Sequence, residues 1–204
     1  MTMYISQNYY FVFPQLQHIV KLYQELDQIT TNVSNLFAVK CPDGCGECCN
    51  TSCNNIEVTI TEMLPLCVYL YEKNTYQMWL DKAGHDRCLF YETALHHKNG
   101  CCAVYEYRPL VCRLFGYSFT KNKYGAIVPV ACPTLKKQYT AKKDIIPTHS
   151  QTLPQMSSIS MQSMIIDPVR GERYSINEAF VKAMEYVILK MRIVHNNSGF
   201  DKIA

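Results

Sequence analysis

The sequence has few features of a membrane-spanning, disordered or nucleic-acid-binding chain. No apolar run reaches the ~18–20 residues that a spanning helix needs. Residues 1–14 are rich in aromatics and lack a basic n-region, so we expect no secretory signal peptide. With 48% hydrophobic and 18% charged residues, the chain is too apolar to stay disordered. A net charge of +3 is too small to indicate nucleic-acid binding by itself.

The residue present in excess is cysteine, with eleven in a chain of 204. An odd number of cysteines without an expected signal peptide argues against a secreted disulfide framework. In a reducing compartment, clustered cysteines more often bind metal or take part in catalysis. We therefore expect a cytoplasmic protein in which the cysteines serve a metal.

Hydrophobic periodicity indicates a mainly helical α+β fold. Amphipathic patterns predict three helices, at 15–38, 62–82 and 176–194. The second helix is expected to be capped by Thr59 with Glu62, or by Thr61 alone, and the third by Ser175 with Glu178. Short strands are expected at 56–60, 89–91, 102–105 and 127–130. We expect a single domain with a loop-rich cysteine and metal centre between amphipathic helices.

Composition divides the chain into four segments. They are an N-terminal helical segment at 1–37, a cysteine-cluster metal-binding domain at 38–135, a linker or surface excursion at 136–170, and a C-terminal helix packing on the core at 171–204. The third segment is predicted because a lysine-rich run is followed by Ser, Thr, Gln and Met. Those lysines either form solvated surface or attract an anionic partner.

The clearest chemical motif is Cys41-x3-Cys45-x2-Cys48, three thiols on a loop rich in glycine and proline. Thiolates are soft ligands that select zinc, copper(I) or iron–sulfur clusters, and short flexible spacers let the backbone wrap an ion. Cys49 follows at once. Because adjacent residues rarely serve one small tetrahedral ion, this pair suggests two metals, or a cluster with a supporting thiol.

Three further motifs accompany this loop. They are Glu57-Val-Thr-Ile-Thr-Glu62, Cys88-Leu-Phe and Cys102-Ala-Val-Tyr-Glu-Tyr-Arg-Pro-Leu-Val-Cys112-Arg-Leu-Phe. Together the four motifs resemble the YkgJ-type CxxxCxxCC cysteine-cluster family, described as a zinc- or iron-chelating domain, over about residues 38–135. The resemblance implies eight metal ligands, enough for two four-cysteine sites: Cys41, Cys45, Cys48, Cys49, Cys88, Cys102, Cys112 and Cys132.

Two arginines near Cys112 are candidate cofactor-binding residues. Arg108 and Arg113 either lower thiol pKa values and offset the charge of an all-cysteine site, or form structural ion pairs with Glu106 or other acids. Cys101 is an alternative ligand to its neighbour Cys102.

The remaining candidates lie outside the motif pattern. Cys53 is unassigned, and Cys67 lies on an apolar helical face, where a core thiol is expected. The pair His96-His97 is either an accessory ligand or a solvated loop pair.

The sequence supports several functions. The first is a metal-binding module, for zinc or iron, with a structural, storage or delivery role. The alternative is an iron–sulfur enzyme, such as a protein-modifying methyl transferase resembling flagellin lysine methylases. A radical S-adenosylmethionine enzyme is disfavoured because no repeated βα pattern is present, and a thiol redox protein because no thioredoxin-like Cys-x-x-Cys setting is present. The expected partners are a metal ion and a protein that receives the metal or is modified, with neither membrane nor nucleic acid.

Overall fold

The computed structural model describes residues 3–42, 45–93 and 100–200, with side chains to residue 196. Its helices are α1 (Asn8–Val12), α2 (Gln15–Phe37), α3 (Ile60–Glu72), α4 (Gln77–Leu80), α5 (Leu110–Leu114), α6 (Pro133–Thr140), α7 (Ile145–Thr148), α8 (Met156–Ile166) and α9 (Ile176–Phe200). Its strands are β1 (Glu57–Thr59), β2 (Tyr91–Glu92), β3 (Cys101–Cys102), β4 (Ser118–Lys121), β5 (Ile127–Val130) and β6 (Arg173–Ser175). This confirms the predicted α+β, mainly helical class. Each described helix is too short or too polar to cross a membrane.

The strands form three antiparallel pairs, β1 with β6, β2 with β3 and β4 with β5. In the first pair Val58 lies opposite Tyr174, and the Ile176 amide donates to Ile56 O at 2.8 Å. Because α3 follows β1 and α9 follows β6 directly, this small sheet brings the starts of the two helices together. The predicted second helix ends earlier than expected, at Glu72, since Asn74 adopts a left-handed φ of 53° and turns the chain toward α4.

Both predicted caps are present. The Thr59 hydroxyl accepts from the Glu62 amide at 3.1 Å, and the Glu62 carboxylate accepts from the Thr59 amide, which completes a capping box. At α9, the Ser175 hydroxyl accepts from the Glu178 amide at 3.4 Å. These bonds satisfy amides that the first helical turn leaves without backbone partners.

The main hydrophobic core lies between α2, α3 and α9. Their apolar stripes bury Leu16, Leu26 and Leu64 among others, and Phe90 meets Phe180 edge to face at 5.3 Å between ring centroids. Burying each large apolar side chain contributes roughly 1.5–3 kcal/mol. The three helices therefore form the rigid support on which the cysteine-bearing segments are placed.

A second hydrophobic cluster lies beneath the β4–β5 hairpin. Phe37 at the end of α2 packs against Phe119 and Tyr139, with ring centroids 5.7 and 5.3 Å away. Residues 136–170, for which the sequence indicates a linker or surface excursion, contain most of α6 and all of α7 and α8. Tyr139 of α6 and Ile146 of α7 complete this second cluster, whereas Ile159 of α8 packs into the main core. The domain boundaries themselves stay predictions.

The Glu62 carboxyl is completely buried at the junction of α3, α8 and β6. It accepts from the Ser163 hydroxyl at 3.1 Å and lies 3.6 Å from the Arg173 guanidinium. Burial raises the pKa of Glu62 above its ordinary value, although Arg173 and Ser163 oppose this effect. The carboxyl of the capping box thus also ties three elements together.

The end of α2 directs the chain into the cysteine loop. Ala38 is left-handed, with φ 50° and ψ 40°, and its amide bonds to Asn35 O while the Val39 amide bonds to Ser34 O at 3.1 Å. This pattern is a Schellman motif, in which glycine is the preferred residue because it has no Cβ to strain.

We predict that Ala38→Gly raises the free energy of unfolding by about 1 kcal/mol, because it relieves left-handed strain. Ala141→Gly is the matched control. Ala141 is also exposed and follows a helix, but its φ is −70°, so glycine there should lower stability by ~0.5–1 kcal/mol. Denaturant unfolding measures both, and a loss of stability in Ala38→Gly would contradict the assignment.

Candidate metal centre

Thiols from four separate segments line one cavity of about 880 Å³. The segments are the loop after α2, strand β3, helix α5 and the residue before α6. The cysteines among the lining residues are Cys41, Cys45, Cys48, Cys49, Cys101, Cys102, Cys112 and Cys132. Of the eight that the resemblance implies, only Cys88 does not line the cavity, and it lies buried near Cys102 and Cys112.

The cysteine loop is tied to α6 by side-chain hydrogen bonds. Gln138 accepts from the Lys40 amide at 3.0 Å and donates to Lys40 O at 3.2 Å. Farther along the loop, the Thr134 hydroxyl donates to the Glu47 carboxylate at 3.0 Å. Because Cys132 is the N-cap residue of α6, these bonds hold the loop beside the last cysteine of the motif set.

The β2–β3 pair places Cys102 opposite Tyr91. Gly100 precedes the pair with a φ of +65°, and a Cβ there would lie 2.5 Å from the Tyr91 ring. Glycine is therefore required at this close approach. Cys101 and Cys102 are both half-buried and line the cavity.

Asn177, which no sequence motif indicates, holds the segment that carries Cys88. Its side-chain oxygen accepts from the Leu89 amide at 3.0 Å, and its amide nitrogen donates to His85 O and Arg87 O at 2.9 Å. Asn177 is buried in the first turn of α9. A polar residue there gives no sequence signal, since its partners lie about ninety residues earlier.

One group of thiols forms around the beginning of the loop. Burial raises the pKa of the Cys41 thiol to about 12, and the neighbouring Cys45, Cys48 and Cys132 thiols add to the effect. Because each thiol in this group disfavours deprotonation of its neighbours, the thiols stay protonated until a metal cation displaces the protons.

A second group of thiols lies around Cys49. The Cys49 thiol is 3.9 Å from the Cys48 sulfur and also hydrogen-bonds Cys102. These hydrogen bonds lower the pKa of Cys48 to about 7 and lower the pKa of Cys102, with Arg108 assisting both. The pKa of Cys49 is raised in turn. Burial raises the pKa of Cys112 well above its ordinary value.

Cys88 lies next to this second group. Burial raises its pKa to about 11, and the Cys102 thiol is a further cause. Cys112 is affected by both Cys88 and Cys102. The three thiols are therefore close enough to interact although they come from different elements.

Arg108 is placed to face negative charge in the cavity. Its guanidinium stacks over the Tyr105 ring at 3.5 Å, and within the described part of the chain its buried Nε has no hydrogen-bond partner. Its positive charge favours the thiolates of Cys48, Cys102 and Cys112. An unpaired buried N–H is costly, so a group with anionic character in the cavity fits this residue.

Arg113 is held in a different contact. Its buried guanidinium donates to both Asp27 carboxylate oxygens at 2.6 and 2.8 Å, to Arg108 O at 2.9 Å and to Glu106 O. It also lies 4.5 Å over the Tyr23 ring. This geometry supports the structural alternative for Arg113, with Asp27 of α2 as its partner and not the side chain of Glu106.

The donor set fits a thiophilic metal, but it is not closed. Across residues 3–42, 45–93 and 100–200, no three Cys, His, Asp or Glu side chains are arranged to hold a metal ion. The thiols surround the cavity, and a metal at Zn–S distances near ~2.3 Å requires their sulfurs to move inward. The exposed Cys48 and half-buried Cys41, Cys45 and Cys49 belong to a loop, where such movement costs least.

The other candidates lie away from this arrangement or outside the described residues. Cys67 is fully buried in α3, with its sulfur 3.9 Å from Phe180 O, as expected of a core thiol. Cys53 is buried beside His85 O. The pair His96-His97 lies outside the described residues.

Comparison with known proteins supports metal binding. Residues 40–133 match a family model described as "CxxCxxCC: Putative zinc- or iron-chelating domain". Searches of curated proteins and of solved structures returned no match. The match confirms the resemblance predicted from the motifs for this part of the chain and supports metal binding in general.

We predict that Arg113→Met lowers the free energy of unfolding by about 2–4 kcal/mol, because buried carbonyl oxygens lose their donor. The matched control is Lys21→Met. Lys21 also forms an ion pair with an acidic residue of α2, since its Nζ lies 3.9 Å from the Glu25 carboxylate, but both side chains are exposed. That change should cost about 0.5 kcal/mol or less. If denaturant unfolding shows the same loss of unfolding free energy in both variants, the buried contacts of Arg113 do not stabilise the fold as described.

Proposed function

We propose that this protein binds zinc or iron through the thiolates of eight cysteines arranged in two groups. The first group contains Cys41, Cys45, Cys48 and Cys132, and the second contains Cys49, Cys88, Cys102 and Cys112. The observation that carries the proposal is the convergence of thiols from four segments on a cavity beside Arg108, whose buried Nε has no hydrogen-bond partner among the described residues. Four thiolates are the ligand set of structural zinc sites and of iron–sulfur clusters.

The division into groups follows from which thiols affect one another. Cys41 is influenced by Cys45, Cys48 and Cys132, whereas Cys112 is influenced by Cys88 and Cys102 before Cys48. Cys48 and Cys49 are neighbours in sequence and lie at the border of the two groups. Adjacent residues rarely serve one tetrahedral ion, so each neighbour is assigned to a different group.

The negative charge of the proposed centre explains why an arginine, Arg108, lies beside the thiols. Eight thiolates around two dications carry a large net negative charge, which is costly in a partly buried site. Arg108 supplies a fixed positive charge and an N–H that has no other partner. Arg113 is not needed for this, since Asp27 holds it.

The two groups differ in how their residues are held. In the second group, Cys88 and Cys112 are held in place, the first by the backbone that Asn177 binds and the second by helix α5. In the first group, Cys41, Cys45 and Cys48 lie on a loop beside Cys132 and move inward when metal binds. Thiols must lose protons when they bind metal, so uptake releases protons and is favoured as pH rises.

The choice between zinc and iron belongs to this proposal, because the same four-thiolate set accepts either. A metal site drawn from segments far apart in sequence also stabilises the fold. We infer a structural, storage or delivery role. The iron–sulfur enzyme predicted as an alternative has no separate observation in its favour.

We predict that Cys45→Ser and Cys102→Ser each remove part of the bound metal, while the double variant removes all of it. The reason is that the two residues serve different groups. Cys67→Ala is the matched control, since Cys67 is buried but lies in the core of α3, and it should retain the full metal content. Metal is measured by elemental analysis of protein purified without oxygen.

Two outcomes would contradict this arrangement. If Cys67→Ala loses as much metal as Cys45→Ser, metal content reports only on folding. If either single variant loses all metal while circular dichroism shows the fold intact, the thiols form one site instead of two.

A separate prediction concerns Arg108. Arg108→Gln should weaken metal affinity by roughly 10–100-fold, the range typical of residues that support metal ligands from outside the coordination shell. The control is Arg192→Gln, an exposed arginine on α9 that does not line the cavity. Competition with a chromophoric chelator measures both affinities. An Arg108→Gln affinity equal to that of Arg192→Gln would remove Arg108 from the site.

A further inference from the structure

Positive charge is concentrated in one stretch of the chain. Residues 107–143 contain eight lysines and arginines and no acidic residue, whereas the rest of the chain has a net charge of −5. The stretch runs from α5 through the β4–β5 hairpin to the end of α6. A protein with a net charge of only +3 therefore carries one strongly basic region.

Part of this basic stretch borders a second cavity, which does not use the cysteines. The cavity has a volume of about 930 Å³ and lies between β5, α6, α7 and the turn that follows α7. Lys121, Lys136 and Lys143 line it. In the part of the chain that the structure describes, none of these lysines forms an ion pair with a carboxylate.

Much of the lining of this second cavity is apolar. Ile127, Pro129, Ile146 and Pro147 contribute to it, as does Tyr139, whose hydroxyl donates to Gly116 O at 2.8 Å. An apolar lining with a few charged groups is the usual composition of small-molecule sites, and the volume lies within their ~300–1,000 Å³ range.

The backbone of β5 is poorly suited to bind a peptide by strand addition. The Phe119 amide donates to Pro154 O at 2.9 Å, away from β5, and Phe119 lies opposite Pro129. Phe119 and Pro129 are therefore a pair that exchanges no hydrogen bonds, so the backbone of Pro129 faces the open edge of the hairpin. A peptide added at that edge would find no N–H at this position, because proline has none. This favours a small ligand over an extended peptide.

We propose that this cavity binds a small organic anion with at least two negative charges and an apolar portion. Its phosphate or carboxylate groups lie among Lys121, Lys136 and Lys143, and its apolar portion lies against Tyr139 and Ile127. Helix α6 separates this site from the thiol cavity, with Leu135 facing one cavity and Lys136 the other. The anion site does not depend on metal binding, so either proposal can fail alone.

The test uses neighbouring lysines that differ in position but not in charge. Lys136 and Lys143 line the cavity, while the adjacent Lys137 and Lys142 do not. The variants are Lys136→Gln with Lys143→Gln, and Lys137→Gln with Lys142→Gln as the matched control. The probes are phenyl phosphate and adipate, which separate phosphate from carboxylate ligands and chelate metals weakly. Calorimetry at low salt measures their binding to the full chain.

We expect at least one probe to bind the unaltered protein with a Kd near or below about 1 mM. The Lys136/Lys143 variant should weaken that binding at least about tenfold, and the Lys137/Lys142 variant by less than about twofold. Equal weakening in the two variants would show a general charge effect and overturn the site. So would binding of neither probe, or binding only of a glutamate-rich peptide tested in parallel.

Discussion

Helix α2 packs against both hydrophobic clusters and so joins the main core to the segment that carries the first cysteines. Most of the helix packs with α3, α5 and α8, and its last turn places Phe37 under the β4–β5 hairpin. Asp27, between these two regions, binds Arg113 and so fixes α5 with its Cys112. The Schellman motif after Phe37 then begins the cysteine loop. One helix thereby positions thiols that are widely separated in sequence around a common cavity.

Neighbouring thiols in this cavity shift one another's pKa values. Burial and the nearby Cys45 thiol raise the pKa of Cys41, and hydrogen bonds with Cys102 and Cys48 raise the pKa of Cys49. The hydrogen bond with Cys49, assisted by Arg108, lowers the pKa of Cys48 to about 7. A bound cation relieves the repulsion among thiolates. The thiolates around it keep a net negative charge, which suits the Arg108 Nε beside them. The arrangement therefore favours a thiophilic metal, even though the sulfurs of the described residues do not form a closed ligand set.

Local patterns in the sequence predict the long helices, both caps and the motif loop, because each depends on residues close together in the chain. The Arg113–Asp27 pair and the Asn177 contacts could not be predicted, since their partners lie 86 to 92 residues apart. Helix α8 could not be predicted because its Ser, Met and Gln residues give little amphipathic pattern, and α6 and α7 are too short to show one. The eight-cysteine ligand set came from motif resemblance and stays a prediction, whereas the division into two groups needed the spatial proximity of the thiols.

X-ray absorption at the metal edge of the protein purified without oxygen distinguishes coordination by thiolates alone from every other ligand set. Two groups of four cysteines give a shell made only of sulfur, four atoms per metal, near the ~2.3 Å typical of zinc thiolates. This result holds for zinc or iron, because both are proposed to have thiolate ligands. Nitrogen or oxygen atoms in the shell, or protein that carries no metal, would rule out the proposed centre.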